Sequence, residues 1–200
     1  MKEFQLDFKF KGDRNYIQGP DIYNRVLEFL YAEKFTIKNI DLSFHKIARH
    51  NLRCEIFKAD NGSRDTGDVV SVFRFTEGNE SYIIHLFETD TAITEYSEYN
   101  EEKIVESSSL NAVDKTIILS SPAPYTNIEK IVALNKALLN KLLTDPGKWY
   151  FTKLTVDSDI NNKQPYTIQV TLVKNIGSKI TKSQILFDGK EKGHLYFSKV

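Results

Sequence analysis

Phe4 to Phe10 alternates strictly, with Phe4, Leu6, Phe8 and Phe10 set against Gln5, Asp7 and Lys9. A period of two marks a strand with one buried face. Residues 11–19 are polar. From Pro20 the period changes, and Ile22, Val26, Leu27 and Leu30 fall on one helical face. Proline suits the first turn of a helix, where its missing N–H costs nothing. Four strand-like runs follow, at 35–47, 51–59, 68–76 and 80–88.

The same order then returns. Thr116-Ile-Ile-Leu-Ser-Ser121 reads as a strand, and Thr126-Asn-Ile-Glu129 as a capping box that satisfies free first-turn amides. Ile128, Ile131, Val132, Leu138, Leu139 and Leu142 form a helical stripe with Leu134 at its edge, and Asp145-Pro-Gly147 stops it. Asn135 interrupts the stripe; if the stripe is buried, its amide needs a partner. Strands are predicted at 149–157, 165–174, 179–188 and 193–199.

Phe35–Lys58 lies on Phe151–Lys174 without a gap, which sets Ile40 on Val156 and Leu52, Cys54 and Ile56 on Ile168, Val170 and Leu172. Phe75-Thr-Glu-Gly78 matches Leu186-Phe-Asp-Gly189 as a turn, and His85-Leu-Phe87 matches His194-Leu-Tyr196. So long a period excludes a solenoid and points to two similar half-domains. The expected organisation is a first repeat over 1–89, a Glu-, Ser- and Thr-rich linker over 90–113, and a second repeat over 114–200. Each repeat reads as strand, helix, four strands. One antiparallel sheet wrapped around one apolar helix satisfies that order. The fold class is α+β.

Composition narrows the function. The chain is 40% hydrophobic, enough for a real core, and its 27 Lys plus Arg balance 27 Asp plus Glu. Without a basic excess, nucleic acid is excluded as the expected partner. The single cysteine, Cys54, sits in an apolar row and reads as a small core residue. Met1-Lys-Glu-Phe-Gln-Leu-Asp7 has no apolar signal region and no run approaches membrane-spanning length, so a cytoplasmic protein without membrane contact is expected. Neither His45 and His50 nor the other two histidines have metal-ligand spacing, so no metal and no cofactor are expected. No Ser-His-Asp order or phosphate loop is present.

The candidate chemistry lies before the first helix, in Gly12-Asp-Arg-Asn-Tyr-Ile-Gln-Gly19. Together with the repeated β-α-β-β-β-β order, this segment resembles the hot-dog superfamily in its double hot-dog arrangement. It is similar to the Gly-Asp-x-Asn-Pro-(Ile/Leu)-His motif of the MaoC-like hydratases at Gly12, Asp13, Asn15 and Ile17. Tyr16 replaces the proline, and Gln18 stands where that family has its histidine. Glutamine exchanges no proton near neutral pH, which argues against hydration. The segment also resembles hot-dog thioesterases, which carry an Asp about ten residues before a helical Tyr, as Asp13 stands before Tyr23.

The resemblance implies an acyl-thioester binding protein, acting on acyl-CoA or an acyl-carrier protein, with thioesterase activity as its enzymatic form. Asp13 and Gln18 would be the catalytic pair that holds water. Asn15, Tyr16, Gly19 and Tyr23 would bind substrate, the Gly19 amide facing the oxyanion at a helix N-terminus. The alternatives are a dehydratase-like enzyme of fatty-acid or polyketide metabolism and a non-catalytic binding or assembly module; a homo-oligomer is compatible with each. The matching loop of the second half, Ser120–Tyr125, has no acid, base or amide side chain, so a single site is expected.

Overall fold

The computed structural model describes residues 2–59, 67–120 and 124–200. The chain divides into two compact units, Met1–Tyr99 and Asn100–Val200. The first contains β1 (Lys2–Leu6), β2 (Phe10–Lys11), α1 (Gly19–Ala32), β3 (Lys38–Phe44), β4 (His50–Lys58), β5 (Val69–Glu77), β6 (Glu80–Ala92) and β7 (Tyr96–Ser97). Five strands form an antiparallel sheet in the order β1-β4-β6-β5-β3. The alternating row of β4 delivers Leu52, Cys54 and Ile56 to the core, each next to an inward residue of β1 or β6: Cys54 faces Phe4 on one side and Leu86 on the other. α1 buries Ile22, Tyr23, Val26, Leu27 and Leu30, the stripe its period predicts with Tyr23 added. A fully buried aliphatic side chain contributes about 1.5–3 kcal/mol, so this face accounts for the docking of the helix.

The second unit contains α2 (Glu102–Glu106), β8 (Ser108–Asn111), β9 (Thr116–Leu119), α3 (Asn127–Leu142), β10 (Trp149–Ser158), β11 (Ile168–Ile176), β12 (Ile180–Phe187) and β13 (Lys190–Lys199). Its sheet runs β8-β9-β11-β12-β13-β10, with each neighbouring pair antiparallel. At the start of α3 the Glu129 carboxylate reaches back to accept from the Thr126 N–H at 2.8 Å and its hydroxyl at 2.7 Å, as the capping pattern predicts. Leu134 is fully buried rather than marginal, and Val132 and Leu142 are half-exposed. The expected connector over 90–113 carries structure of its own: the end of β6, then β7, α2 and β8, divided between the units. Ile104 of α2 is fully buried, a single apolar anchor too short to show as a period.

Both repeats have the β-α-β-β-β-β order, but they are not copies. β1 sets Leu6 against Leu52, and β9 sets Leu119 against Ile168, so the rows of β4 and β11 correspond as expected. The ungapped match fails one strand earlier. Residues 45–49 join β3 to β4, whereas 159–167 join β10 to β11. Following the ladders across each sheet, Leu42 corresponds to Leu154 and Phe44 to Val156, so Ile40 does not fall on Val156. The last hairpins also differ. In the first unit β6 lies between β4 and β5; in the second, β12 lies beside β11 and β13 beyond it. Gly78 and Gly189 still occupy the same turn in chain order, both with positive φ, but His85 and His194 fall at different sheet positions. His85 is buried on β6 with Phe57 and Phe87 against its ring, whereas His194 on β13 is partly exposed beside Glu191.

Candidate functional site

The loop before α1 is held at both ends by backbone. β2 runs parallel to β7, and the N–H groups of Phe10 and Gly12 donate to the carbonyls of Glu95 and Ser97 at 2.9 and 3.0 Å. Gly12 turns the chain with φ +58°, and the N–H of Ile17 donates to Ala48 at 2.9 Å. Between these ties, the Lys11 and Arg14 cations lie over the Tyr99 ring at 5.2 and 5.4 Å.

Within this frame the predicted residues separate into two groups. Asp13 and Asn15 are exposed and make no hydrogen bond or ion pair among the described residues. Tyr16 is half-buried, and Tyr23 is fully buried, its ring 6.3 Å from Phe73 in the core of the unit. Gln18 and Gly19 are the pair brought together at the helix start. Gln18 is the N-cap residue, and its carbonyl accepts the N–H groups of Asp21 at 3.0 Å and Ile22 at 3.3 Å. Pro20 has no N–H, and the Gly19 amide has no partner among the described residues. The Gln18 Nε2 is buried and has no partner among the described residues. Two donors therefore stand unused at the positive end of α1.

Sequence reading missed Lys11 and Asp21. They form an ion pair at 2.5 Å with side chains only 18% and 13% exposed, which fixes β2 against the first turn of α1. An acidic residue two positions into the helix was the available signal. In the second unit, 121–123 of the corresponding loop lie outside the described residues, and Tyr125 there exchanges hydrogen bonds with the backbone of Asn100. Among the described residues no three His, Cys, Asp or Glu side chains are grouped to hold a metal, and no helix is long and apolar enough to cross a membrane.

No protein-family model and no curated protein matches the chain. Solved structures do. A TesB protein of Mycobacterium avium subspecies paratuberculosis matches over 98% of this chain and 91% of its own, with 10% identity and a TM-score of 0.50. An acyl-ACP thioesterase from Bacteroides thetaiotaomicron matches over 100% and 97%, with 8% identity and a TM-score of 0.50. The pyran synthase domain from module nine of the sorangicin pathway matches over 99% and 92%, with 8% identity and a TM-score of 0.52. The chain folds as two hot-dog units in tandem. At this identity the likeness carries the fold alone. The tandem hot-dog accounts for the order in which each long apolar helix is followed by four strands.

Proposed function

We propose that this chain binds an acyl thioester. The observation that carries the reading is the pair of unused donors at the start of α1, Gln18 Nε2 and the Gly19 N–H. A thioester carbonyl oxygen accepts two hydrogen bonds, and the helix N-terminus favours the partial negative charge on it. The shared fold with a TesB protein and an acyl-ACP thioesterase supports the same substrate class. Acyl-CoA and acyl-carrier-protein thioesters present the same reactive group, so both belong to the reading.

The non-catalytic form is favoured over a thioesterase by one observation: Asp13, the carboxylate meant to orient water, is exposed and unbonded. The nearest alternative acid in the loop and first turn, Asp21, is already paired with Lys11. Isothermal titration with saturated acyl-CoA and acyl-carrier-protein thioesters of several chain lengths tests this. Binding that falls about tenfold in Gln18→Leu, by loss of a buried hydrogen bond, is the expected result. Absence of binding to every thioester, or unchanged binding by Gln18→Leu, rejects it. Thioester hydrolysis that is lost in Asp13→Asn would restore the thioesterase reading.

A further inference from the structure

We infer that the core of the second unit contains a separate binding site for the uncharged polar group of an aliphatic ligand: a hydroxyl, carbonyl or amide. The inference does not rest on the thioester reading. Asn135 is fully buried in the middle of α3, and neither its Oδ1 nor its Nδ2 has a partner among the described residues. Thr181 and Ser183, buried on β12, have unpartnered hydroxyls as well. Buried polar atoms are nearly always bonded, so these open groups on α3 and β12 call for a partner that the described residues do not supply.

Ties at its two ends fix how α3 runs along the second unit. The first turn of α3 is tied to the chain after β10, where Asn127 Nδ2 donates to the carbonyls of Ile160 and Lys163 at 2.8 Å each. The far end is tied to β13, where Lys199 Nζ donates to the Leu143 carbonyl at 3.3 Å. β12 spans the same interval, from Ile180 beside Ser198 to Ile185 beside Gly193. Asn135 lies about 12 Å along the helix at 1.5 Å per residue, midway between its two tied ends, and Ser183 lies midway along β12. Thr181 and Ser183 alternate with Ile185 and Phe187 on the covered face.

The fold itself does not need these polar groups. Counting from the N-caps Gln18 and Thr126, Asn135 corresponds to Leu27, which is buried in α1. Along the ladders, Ser183 opposite Leu172 corresponds to Ile84 opposite Ile56, and Thr181 beside Phe197 corresponds to Tyr82 beside Phe75. At these positions the first unit has Leu27, Ile84 and the part-buried Tyr82 where the second has Asn135, Ser183 and Thr181. The amide and hydroxyls offer donors and acceptors together, without charge, among apolar neighbours. That combination suits a hydroxyl, carbonyl or amide on an alkyl chain and disfavours a carboxylate, whose charge would be buried unpaired.

The test uses the full chain, labelled for side-chain amide NMR, titrated with hexanamide, hexanol and, as a charged control, hexanoate at neutral pH. Hexanamide and hexanol are expected to shift the Asn135 side-chain resonances saturably, and hexanoate not to. Asn135→Leu, which installs the first unit's residue, should weaken both neutral probes at least about tenfold while raising the thermal midpoint, because open buried groups disappear. If that variant does not fold, Ser183→Ala gives the same binding readout through the probes' own signals. Failure of either neutral probe to bind, equal binding of hexanoate, or unchanged affinity in the folded variant overturns the inference in favour of a nest of buried water.

Discussion

Lys11 and Asp21 meet at 2.5 Å, one from the short strand β2 and the other from the first turn of α1, with most of both side chains out of water. This pair holds the candidate loop against the helix that supplies its donors. Removing the carboxylate takes the opposite charge away from a largely desolvated lysine. Asp21→Asn should lower stability by about 1–3 kcal/mol in urea unfolding, with Lys11→Met in the same background recovering part of the loss. Additive single and double variants would show that the pair is not coupled.

Cys54 is fully buried between Phe4 and Leu86, and burial pushes its thiol well above the ordinary cysteine range. A neutral, inaccessible thiol is not a nucleophile. Native protein should resist maleimide labelling, and Cys54→Val, the residue of the corresponding strand, should change stability by less than about 1.5 kcal/mol. Rapid labelling without denaturant would contradict the placement.

Glu88, an exposed residue of β6, carries a pH dependence. Burial alone would raise its carboxyl, but the N–H groups of Arg49 and His50 and the His50 ring all bond to it, and the net position is below the ordinary value of 4.5. A lowered folded value means that the stabilisation is present above the unfolded value and is lost as pH falls below about 4.5 through the folded one. The carboxylate is about a third exposed, so the contribution is under about 1 kcal/mol. Glu88→Gln should therefore cost stability near neutral pH and converge with wild type in acid, as followed by denaturant midpoints across pH.

Gly193 sits in β13 at φ +140°, opposite Val156, where an added Cβ would come within 2.0 Å of the Thr155 carbonyl oxygen. The obstacle is backbone and cannot rotate away. Gly193→Ala is expected to destabilise the second unit by about 2–4 kcal/mol, combining strain at a positive φ with displacement of β10. A thermal midpoint equal to that of wild type would show that the strand relaxes freely.

Much of this was legible in the chain. The change of period at Pro20 marked α1, the capping residues Thr126 and Glu129 marked α3, and the rows of β4 and β11 carried their own facing. Period and cap are local properties, set by which face of an element meets the core, so they survive without knowledge of neighbours. The order of strands within each sheet did not. Ile84 and Ile185 alternate identically whether their strand pairs with one neighbour or another, and only the ladders reveal that β6 enters between β4 and β5 while β12 follows β11. The loop lengths at 45–49 and 159–167 likewise broke a match that looked continuous. At the candidate site, chain position grouped Asp13 with Gln18. The tertiary structure left Asp13 in water, buried the Gln18 amide, and added Lys11 and Asp21, because exposure and ion pairing depend on what β2, β7 and α1 bring together.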